Sequence, residues 1–400
     1  MNGHFVRING VINERDVIFV TRFRRNEFLA QLKGMRLLSQ DFVVIGAGII
    51  GLATALELAK RGGKVTVLER AVVGGESSWA GGGILSALPP WKYTPAVTRL
   101  TMWSEQLFPG WVDELISATE IDPEYHRSGL LMLPEFDREA ARSWCREHLV
   151  ECVPVQSTDI SPRISLEAGA LWLPQVAQVR NPRLIKALQR RLEIAKVKVI
   201  EHCEVSAWKI SRQQLVSVVT PRGEFSAAGY IVCGGAWSQH IIGNFSLHLD
   251  IKPVRGQMLL FKTQPGFLTS IVLQNDTYFI PRKDGHILLG STVEHVGFNN
   301  STTEEAKSQL LSWAAKLFPQ LNEKLLVRQW AGLRPGSPEN IPTIDRHPQF
   351  DNLFINSGHY RYGVTMAPGS ARLLVNLLLG VSQPIDCSPY AWPQAMSQVN

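Results

Sequence analysis

The 400-residue sequence predicts an α/β fold with two domains of α+β type. An antiparallel-sheet domain is expected to be inserted into a Rossmann-type dinucleotide-binding domain. Three observations predict it. A strand, a glycine-rich turn, a helix and a second strand follow one another over residues 41–68. Residues 276–292 contain two strand-like runs joined by Asp-Gly, a pair typical of tight hairpins. Residues 353–379 return to a strand followed by a helix.

The first unit is a βαβ unit. The apolar run Phe42 to Gly46 predicts a buried strand, and the pattern from Ile49 to Arg61 predicts a helix closed by Gly62 and Gly63. Lys64 to Leu68 predicts a second apolar strand. The short connections favour parallel strands with a right-handed crossover.

The turn of this unit carries the pattern Gly-x-Gly-x-x-Gly. Gly46 permits the tight turn, Gly48 lets the backbone approach a pyrophosphate, and Gly51 lets the helix pack closely on the strand. The helix N-terminus offers free N–H groups and a positive dipole to phosphates. Glu69 ends the second strand, where a carboxylate can accept hydrogen bonds from a ribose hydroxyl and would repel the 2′-phosphate of NADP. The alternative, that these glycines serve only tight turns, is disfavoured by the βαβ context, but FAD and NAD both remain open.

Later segments supply further parts of the same sheet. Leu184 to Ala195 is helical in pattern, Val197 to Ile200 and Tyr230 to Cys233 are strand-like, and a final helix is expected to begin near Pro368. We therefore expect an N-terminal extension over residues 1–40. A discontinuous cofactor domain is expected over residues 41–120, 177–251 and 338–395, and a substrate domain over residues 121–176 and 252–337.

A glycine-rich stretch over residues 74–86 follows the βαβ unit. Gly81, Gly82 and Gly83 leave bare backbone that a planar ring can approach, and Ser77 and Ser78 offer hydroxyls to a pyrophosphate. On the residues alone, a plain flexible loop explains the stretch equally well.

This stretch carries a family resemblance. Glu76 to Ser86, with Leu88 to Tyr93, closely resembles the flavin loop of the proteobacterial glycine oxidases of thiamine biosynthesis, which belong to the D-amino-acid oxidase family of FAD-dependent oxidoreductases. The resemblance covers residues 40–395 and continues through five further segments, 179–183, 232–238, 253–257, 330–336 and 358–363.

The resemblance implies a non-covalent FAD. Its adenosine would lie on residues 46–69 with Val205 on the adenine side, its isoalloxazine against Gly82 to Ile84, and residues 359–365 around the ring. A helix beginning near Pro368 would direct its positive end at that turn and stabilise negative charge on reduced flavin. The cofactor residues so implied are Gly46, Gly48, Ile49, Ile50, Gly51, Glu69, Arg70, Ser77, Ser78, Gly82, Gly83, Ile84, Val205, His359, Tyr360, Arg361, Tyr362, Gly363, Val364 and Thr365.

The resemblance also implies a substrate site. Arg334 matches the arginine that holds the substrate carboxylate through a two-pronged guanidinium fork, Tyr278 matches a tyrosine on the same carboxylate, and Arg361 matches a second arginine near ligand and flavin. Without the resemblance, ion pairing or packing would be the favoured role of each. The implied reaction is hydride transfer from glycine, and from sarcosine or small D-amino acids, to FAD. It would give a 2-oxo acid, ammonia and, with O2 as the acceptor, hydrogen peroxide.

Three positions depart from the family pattern. Ile84 and Val293 stand where some glycine oxidases have methionine, and Asp276 stands where some have histidine. Because branched side chains are stiffer than methionine, we expect a narrow pocket and a small substrate.

Composition narrows the class of protein further. The net charge is +6, but the first 40 residues hold seven Arg/Lys against three acids, so the other 360 carry only +2, which disfavours a nucleic-acid partner. Five scattered cysteines without a CxxC pair indicate a reducing, cytoplasmic location, and the apolar run Phe42 to Leu56 is too short and interrupted for membrane insertion. No metal motif is present in the sequence. We interpret Met35 as the natural start, and the family implies a homo-oligomer, namely a tetramer.

Three alternatives stay open at this point. The first is a D-amino-acid dehydrogenase that passes electrons to a quinone, since a sequence does not reveal oxygen reactivity. The second is a tRNA-modifying FAD oxidoreductase, which would need a basic face. The third is a non-catalytic flavin-binding subunit, against which the presence of both Arg334 and Tyr278 argues.

Overall fold

The structure is a computed structural model that describes residues 41–212 and 214–394. The extension 1–40, the predicted start at Met35 and the last residue of the predicted segment 338–395 lie outside the described residues.

A six-stranded sheet contains the predicted βαβ unit. Every neighbouring pair of its strands is parallel except the edge strand Thr343–Arg346, which runs antiparallel to Leu353–Ser357. The helix Ile49–Lys60 follows the strand Asp41–Ile45 directly and packs against the last long helix. From one edge to the other the strands are Thr343–Arg346, Leu353–Ser357, Gly229–Val232, Asp41–Ile45, Lys64–Leu68 and Lys198–Ile200.

The last long helix begins earlier than predicted. It runs from Gly363 to Leu379 with Pro368 inside it, so the prediction of a start near Pro368 was wrong. Proline removes one hydrogen bond from a helix interior. Here Met366, Ala367 and Pro368 are all buried, and the packing of this face outweighs the lost bond. The N-terminus of this helix therefore lies directly after the turn at residues 359–362.

An eight-stranded sheet forms the second layer and contains the predicted hairpin. Thr277–Pro281 pairs antiparallel with His286–Gly290, and Gly285 has the positive φ of 83° that such a turn needs. The helix Glu304–Leu317 covers one face and closes a separate apolar core. In spatial order the strands are Leu326–Gly336, Lys252–Lys262, His286–Gly290, Thr277–Pro281, Ile271–Gln274, Leu130–Met132, Gly169–Leu173 and Val153–Gln156.

Smaller elements complete the described residues. Two three-stranded sheets consist of Ile84–Leu85, Ala177–Gln178 and His126–Arg127, and of Ala207–Ser211, Gln214–Thr220 and Gly223–Phe225. The other α-helices are Ser77–Ala80, Pro95–Thr119, Arg138–Glu147, Ser157–Ile160, Asn181–Ile194 and Ser238–Ile242. Short 3₁₀ turns lie at Pro90–Lys92, Gly235–Trp237, Gly243–Phe245, Glu323–Leu325, Pro338–Asn340 and Ser388–Tyr390.

The two large sheets confirm the predicted fold class, a mainly parallel sheet combined with a mainly antiparallel one. The six strands of the first sheet fall within the segments assigned to the cofactor domain, and the eight strands of the second fall within those assigned to the substrate domain. The domain boundaries themselves remain a proposal. Across residues 41–212 and 214–394, no helix combines the length and the apolar character needed to cross a bilayer.

Candidate active site

A deep pocket lies between the two large sheets. Ile45, Leu68 and Ser357 line it at the carboxyl ends of their parallel strands, which is where open α/β sheets bind ligands. On the opposite side it reaches Tyr278 and Arg334 of the antiparallel sheet. Its volume of about 480 Å³ falls within the range of small-molecule and cofactor sites.

The glycine turn is packed as tightly as the sequence pattern requires. Gly46 has φ +107°, and a Cβ there would lie 2.9 Å from the carbonyl carbon of Cys233. A Cβ on Gly51 would overlap the carbonyl oxygen of Gly46, so this glycine serves the contact between helix and strand and lies behind the pocket. Gly48 faces the pocket, and a Cβ added to it would lie 3.1 Å from the hydroxyl of Ser78. Bare backbone at the start of the helix is therefore available to phosphate groups.

Ser78 connects the glycine-rich stretch to this helix. Its Oγ accepts a hydrogen bond from the backbone N–H of Ile49 at 2.9 Å, and its carbonyl accepts one from Asn181 Nδ2 at 2.9 Å. Ser77, Ser78 and Ile50 line the pocket beside it. The Ser78 hydroxyl thus satisfies one N–H at the helix N-terminus, while the backbone of Gly48 beside it faces the pocket.

Glu69 is fixed at the end of the second strand. Its Oε2 accepts from the N–H of Ala47 at 2.8 Å and its Oε1 from the N–H of Ala71 at 2.9 Å. The residue is only 7% exposed, yet it lines the pocket. Each carboxylate oxygen keeps lone-pair capacity for a ribose hydroxyl.

The same end of the pocket has an aromatic wall that the sequence did not reveal. The guanidinium of Arg70 lies over the ring of Trp237, with 3.8 Å between the guanidinium carbon and the ring centroid. Arg70 also donates a hydrogen bond to Glu76 at 2.5 Å. Val205 lines the pocket close to these groups. Glu69 was identified from the sequence motif, whereas Trp237 lay in the resemblance segment 232–238 without a role assigned to it.

The opposite half of the pocket contains the glycine loop and the turn before the last helix. Gly82, Gly83 and Ile84 line it on one side, and residues 359–364 line it on another. The helix beginning at Gly363 directs its free N–H groups toward this space. Thr365 is buried behind the turn, where its Oγ1 donates to the carbonyl of Ile84 at 3.2 Å.

His359 is buried beside this space with its Nε2 atom unpaired among the described residues. Burial lowers the pKa of its imidazole to about 3, so the ring is neutral at physiological pH. A buried ring nitrogen without a partner normally finds one when the site is filled.

The burial of His359 predicts a pH-dependent stability. Between about pH 6.5 and pH 3 the unfolded chain protonates this imidazole while the folded protein does not, so the free energy of unfolding falls as the pH falls. The His359→Asn variant should lose less stability than the wild type between pH 7 and pH 5, by up to about 1.4 kcal/mol per pH unit below pH 6.5. Melting temperatures at both pH values check this. An exposed-histidine variant, His248→Asn, should behave as wild type, and equal pH sensitivity of His359→Asn would contradict the assignment.

Arg334 lies at the substrate end of the pocket. Its Nη2 donates to Ser291 Oγ at 2.6 Å and its Nη1 to the carbonyl of Thr292 at 3.2 Å, and it makes no ion pair with any acid in the described parts of the chain. Tyr278 donates through its hydroxyl to the same Ser291 Oγ at 3.2 Å. The pocket therefore presents a guanidinium without a carboxylate partner next to a phenol, an arrangement chemically suited to a carboxylate.

Glycines make this arrangement possible. A Cβ on Gly256 would overlap the guanidinium of Arg334, and a Cβ on Gly290 would lie 3.1 Å from the ring of Tyr278. Both glycines lie in buried strands, where glycine often marks the close approach of another group. Sequence reasoning assigned no role to Gly256 or Ser291, although Gly256 lies in the resemblance segment 253–257.

Arg361 is placed differently from Arg334. Its Nη1 donates to Asp276 Oδ1 at 2.9 Å, so its charge is already paired at the edge of the pocket. Its predicted contact with the ligand stays a prediction. The expectation that Val293 shapes the pocket was wrong, because this side chain is 40% exposed and lies outside the pocket wall, whereas Ile84 does line it. Val293 lies in the loop that follows the strand His286–Gly290, where its side chain faces solvent.

These features fit FAD. The bare glycine backbone, the two helix N-termini and the unpaired Nε2 of His359 match a dinucleotide with a polar, planar ring system. Within the residues that the structure describes, no group of three His, Cys, Asp or Glu side chains could hold a metal ion.

A pocket at the carboxyl ends of a parallel sheet, with a glycine turn at a helix N-terminus and residues that fit FAD, defines the class of flavin-dependent oxidoreductases. The chain belongs to the DAO family of FAD-dependent oxidoreductases, whose sequence profile matches residues 41–377. FAD is therefore its cofactor, and the chain is an enzyme.

The chain is similar to glycine oxidases. It is 45% identical over 360 residues to the glycine oxidase of Pseudomonas aeruginosa, with 88% of this chain and 99% of that protein covered. The crystal structure of the glycine oxidase from Geobacillus kaustophilus superposes with a TM-score of 0.84 at 26% identity, covering 90% and 99% of the two chains. The bifunctional protein ThiO/ThiG of Synechocystis is 30% identical, with 85% of this chain and 52% of that protein covered.

Proposed function

We propose that this enzyme oxidises glycine to glyoxylate and ammonia with reduction of O2 to hydrogen peroxide. One observation carries the proposal: the unpaired guanidinium of Arg334 and the hydroxyl of Tyr278 converge on Ser291 in a pocket that is continuous with the Gly82–Ile84 loop. The similarity to the glycine oxidase of Pseudomonas aeruginosa supports it.

The residues of the pocket bind and orient the substrate. FAD, when bound, supplies the two-electron oxidation. Arg334 holds the substrate carboxylate in a charge-assisted, two-pronged hydrogen bond, and Tyr278 donates to the same carboxylate. Anchoring this end fixes where the Cα–H bond points, and positioning of this kind accounts for much of the rate of such reactions. The imine product hydrolyses to glyoxylate and ammonia.

The walls of the pocket favour a small substrate. Met258 and Ile84 line it near Tyr278, and Met258 lies close to Gly290. The stiff branched side chain of Ile84 restricts the space at the flavin end. Glycine is therefore the preferred substrate in this proposal, and sarcosine and small D-amino acids follow it.

Tyr278→Phe should weaken substrate binding modestly. It removes one hydrogen bond to the carboxylate and leaves the ring in place, which corresponds to roughly a two- to tenfold rise in the dissociation constant of a carboxylate ligand. Titration of the oxidised enzyme with a non-reacting carboxylate such as glycolate, followed by flavin absorbance, measures the effect. Ser291→Ala serves as the comparison, since it removes the shared partner of Arg334 and Tyr278. Unchanged affinity in Tyr278→Phe would place the hydroxyl outside the substrate site.

Anaerobic mixing of the purified yellow enzyme with glycine tests the proposed function. We expect the flavin absorbance to bleach with glycine, more slowly with sarcosine and D-alanine, and to return when O2 is admitted with one peroxide formed per turnover. No bleaching with all three amino acids would overturn the proposal. Bleaching without peroxide formation would point to a quinone acceptor instead.

We also propose a pathway, a cellular location and an oligomeric state for the enzyme. A role in thiamine biosynthesis is supported by the resemblance of the flavin loop and by the match to a protein named ThiO/ThiG. A cytoplasmic location is supported by five cysteines that form no disulfide, and a tetramer is supported by the family resemblance alone.

A further inference from the structure

We propose that Arg282 is a positioning residue for the cofactor: it fixes the glycine loop against which the flavin lies and places a permanent positive charge behind it. The inference rests on FAD as the cofactor and is independent of which amino acid is oxidised. Arg282 follows the strand Thr277–Pro281 directly, four residues after Tyr278, so it belongs to the substrate sheet.

The contacts of Arg282 all lead toward the glycine loop. Its Nη2 donates to the carbonyl of Gly82 at 2.7 Å, and its Nη1 donates to the carbonyl of Val179 at 2.9 Å and to Gln178 Oε1 at 2.8 Å. The N–H of Val179 in turn donates to the carbonyl of Gly83 at 2.9 Å. One guanidinium therefore connects the substrate sheet to both glycines that line the flavin end of the pocket.

The charge of Arg282 is buried without a carboxylate in contact. The residue is 5% exposed, and the two nearby acids, Glu124 and Asp284, are both bonded to Arg180 instead. Burial, together with the charge of Arg180, lowers the pKa of Arg282 to about 10, so the guanidinium is still protonated at neutral pH. A buried cation without a counter-ion destabilises a fold. The contacts of Arg282 with the glycine loop give this costly charge a role at the site.

Two effects on FAD follow from this position. The fork of hydrogen bonds holds the Gly82 carbonyl away from the pocket, which leaves the bare face of the loop free for the ring. The fixed positive charge favours the reduced flavin, which carries negative charge, over the oxidised flavin. Lysine can preserve the charge but not the fork, and methionine preserves neither.

The experiment compares Arg282→Met and Arg282→Lys with wild type and with Arg163→Met. Arg163 is a matched control, because it also donates to two backbone carbonyls, those of Gly266 and Phe267, but on the exposed surface. Fluorescence titration of the apoprotein gives the FAD dissociation constant, and spectroelectrochemical titration of the holoenzyme gives the two-electron potential. Neither measurement involves glycine, so their outcome is separate from that of the proposed function.

We expect Arg282→Met to bind FAD at least tenfold more weakly and to shift the equilibrium toward oxidised flavin at least tenfold, a lowering of about 30 mV for a two-electron couple. Arg282→Lys should lose FAD affinity but keep the wild-type potential, and Arg163→Met should match wild type in both. If Arg282→Met does not fold, the proposal is tested by whether Arg282→Lys and Gln178→Leu bind FAD more weakly than wild type. Wild-type affinity and potential in the folded Arg282 variants would overturn the proposal.

Discussion

Replacement of Arg334 by leucine is expected to abolish efficient oxidation of glycine while the protein stays yellow. The guanidinium has no acidic partner in the described parts of the chain, so the substrate carboxylate is the group that would neutralise it. Loss of one member of a buried, hydrogen-bonded charge pair costs about 2–5 kcal/mol. That corresponds to a fall in kcat/KM of roughly 30-fold to several thousand-fold. Steady-state peroxide production over a wide range of glycine concentrations measures it.

Arg328→Leu is the matched control for this experiment. Arg328 lies on the same strand, but it is exposed and its guanidinium lies 4.7 Å from the ring centroid of Trp79. We expect its kcat/KM to stay within a factor of two or so of wild type, since surface substitutions change little. If Arg334→Leu loses FAD together with activity, the arginine is structural and the substrate clamp must be sought elsewhere.

Gly83→Val should produce a colourless protein. Gly83 has φ +76°, and a Cβ there would overlap the carbonyl of Val179 and lie 2.5 Å from Asn181 Oδ1. A side chain in the left-handed region costs about 1–2 kcal/mol, and overpacking adds about 1–3 kcal/mol more. Because the backbone must move and it lines the flavin end of the pocket, we expect FAD affinity to fall by roughly a hundredfold. The ratio of flavin to protein absorbance after gel filtration measures this.

Gly223→Val separates backbone strain from displacement of the loop. Gly223 also has a positive φ, +105°, but nothing lies within 4 Å of an added Cβ, and it is the exposed first residue of the strand Gly223–Phe225, outside the pocket lining. This variant should lose some thermal stability and keep full FAD occupancy. A yellow Gly83→Val protein with wild-type flavin content would show that the loop does not contact the ring as proposed.

The sequence by itself determined the cofactor half of this protein. The glycine spacing from Gly46 to Gly51, with Glu69 at the end of the next strand, depends on local geometry: a turn, a helix start and a strand end that are consecutive in the chain. Local backbone rules of this kind can be derived without knowing the rest of the fold. The hairpin around Gly285 was predictable for the same reason.

Only the tertiary structure decided how the substrate end is built. Arg334 and Tyr278 lie on two strands, and Ser291 directly follows a third. They meet only because these strands belong to one sheet, and Gly256, on the strand Lys252–Lys262 between them, makes room for the guanidinium. The same holds for the start of the last helix, where burial outweighed the local preference of Pro368, and for Arg282, whose partners are about a hundred or more residues away in the chain. Contacts between distant segments depend on sheet register and packing, and the order of residues along the chain does not encode them locally.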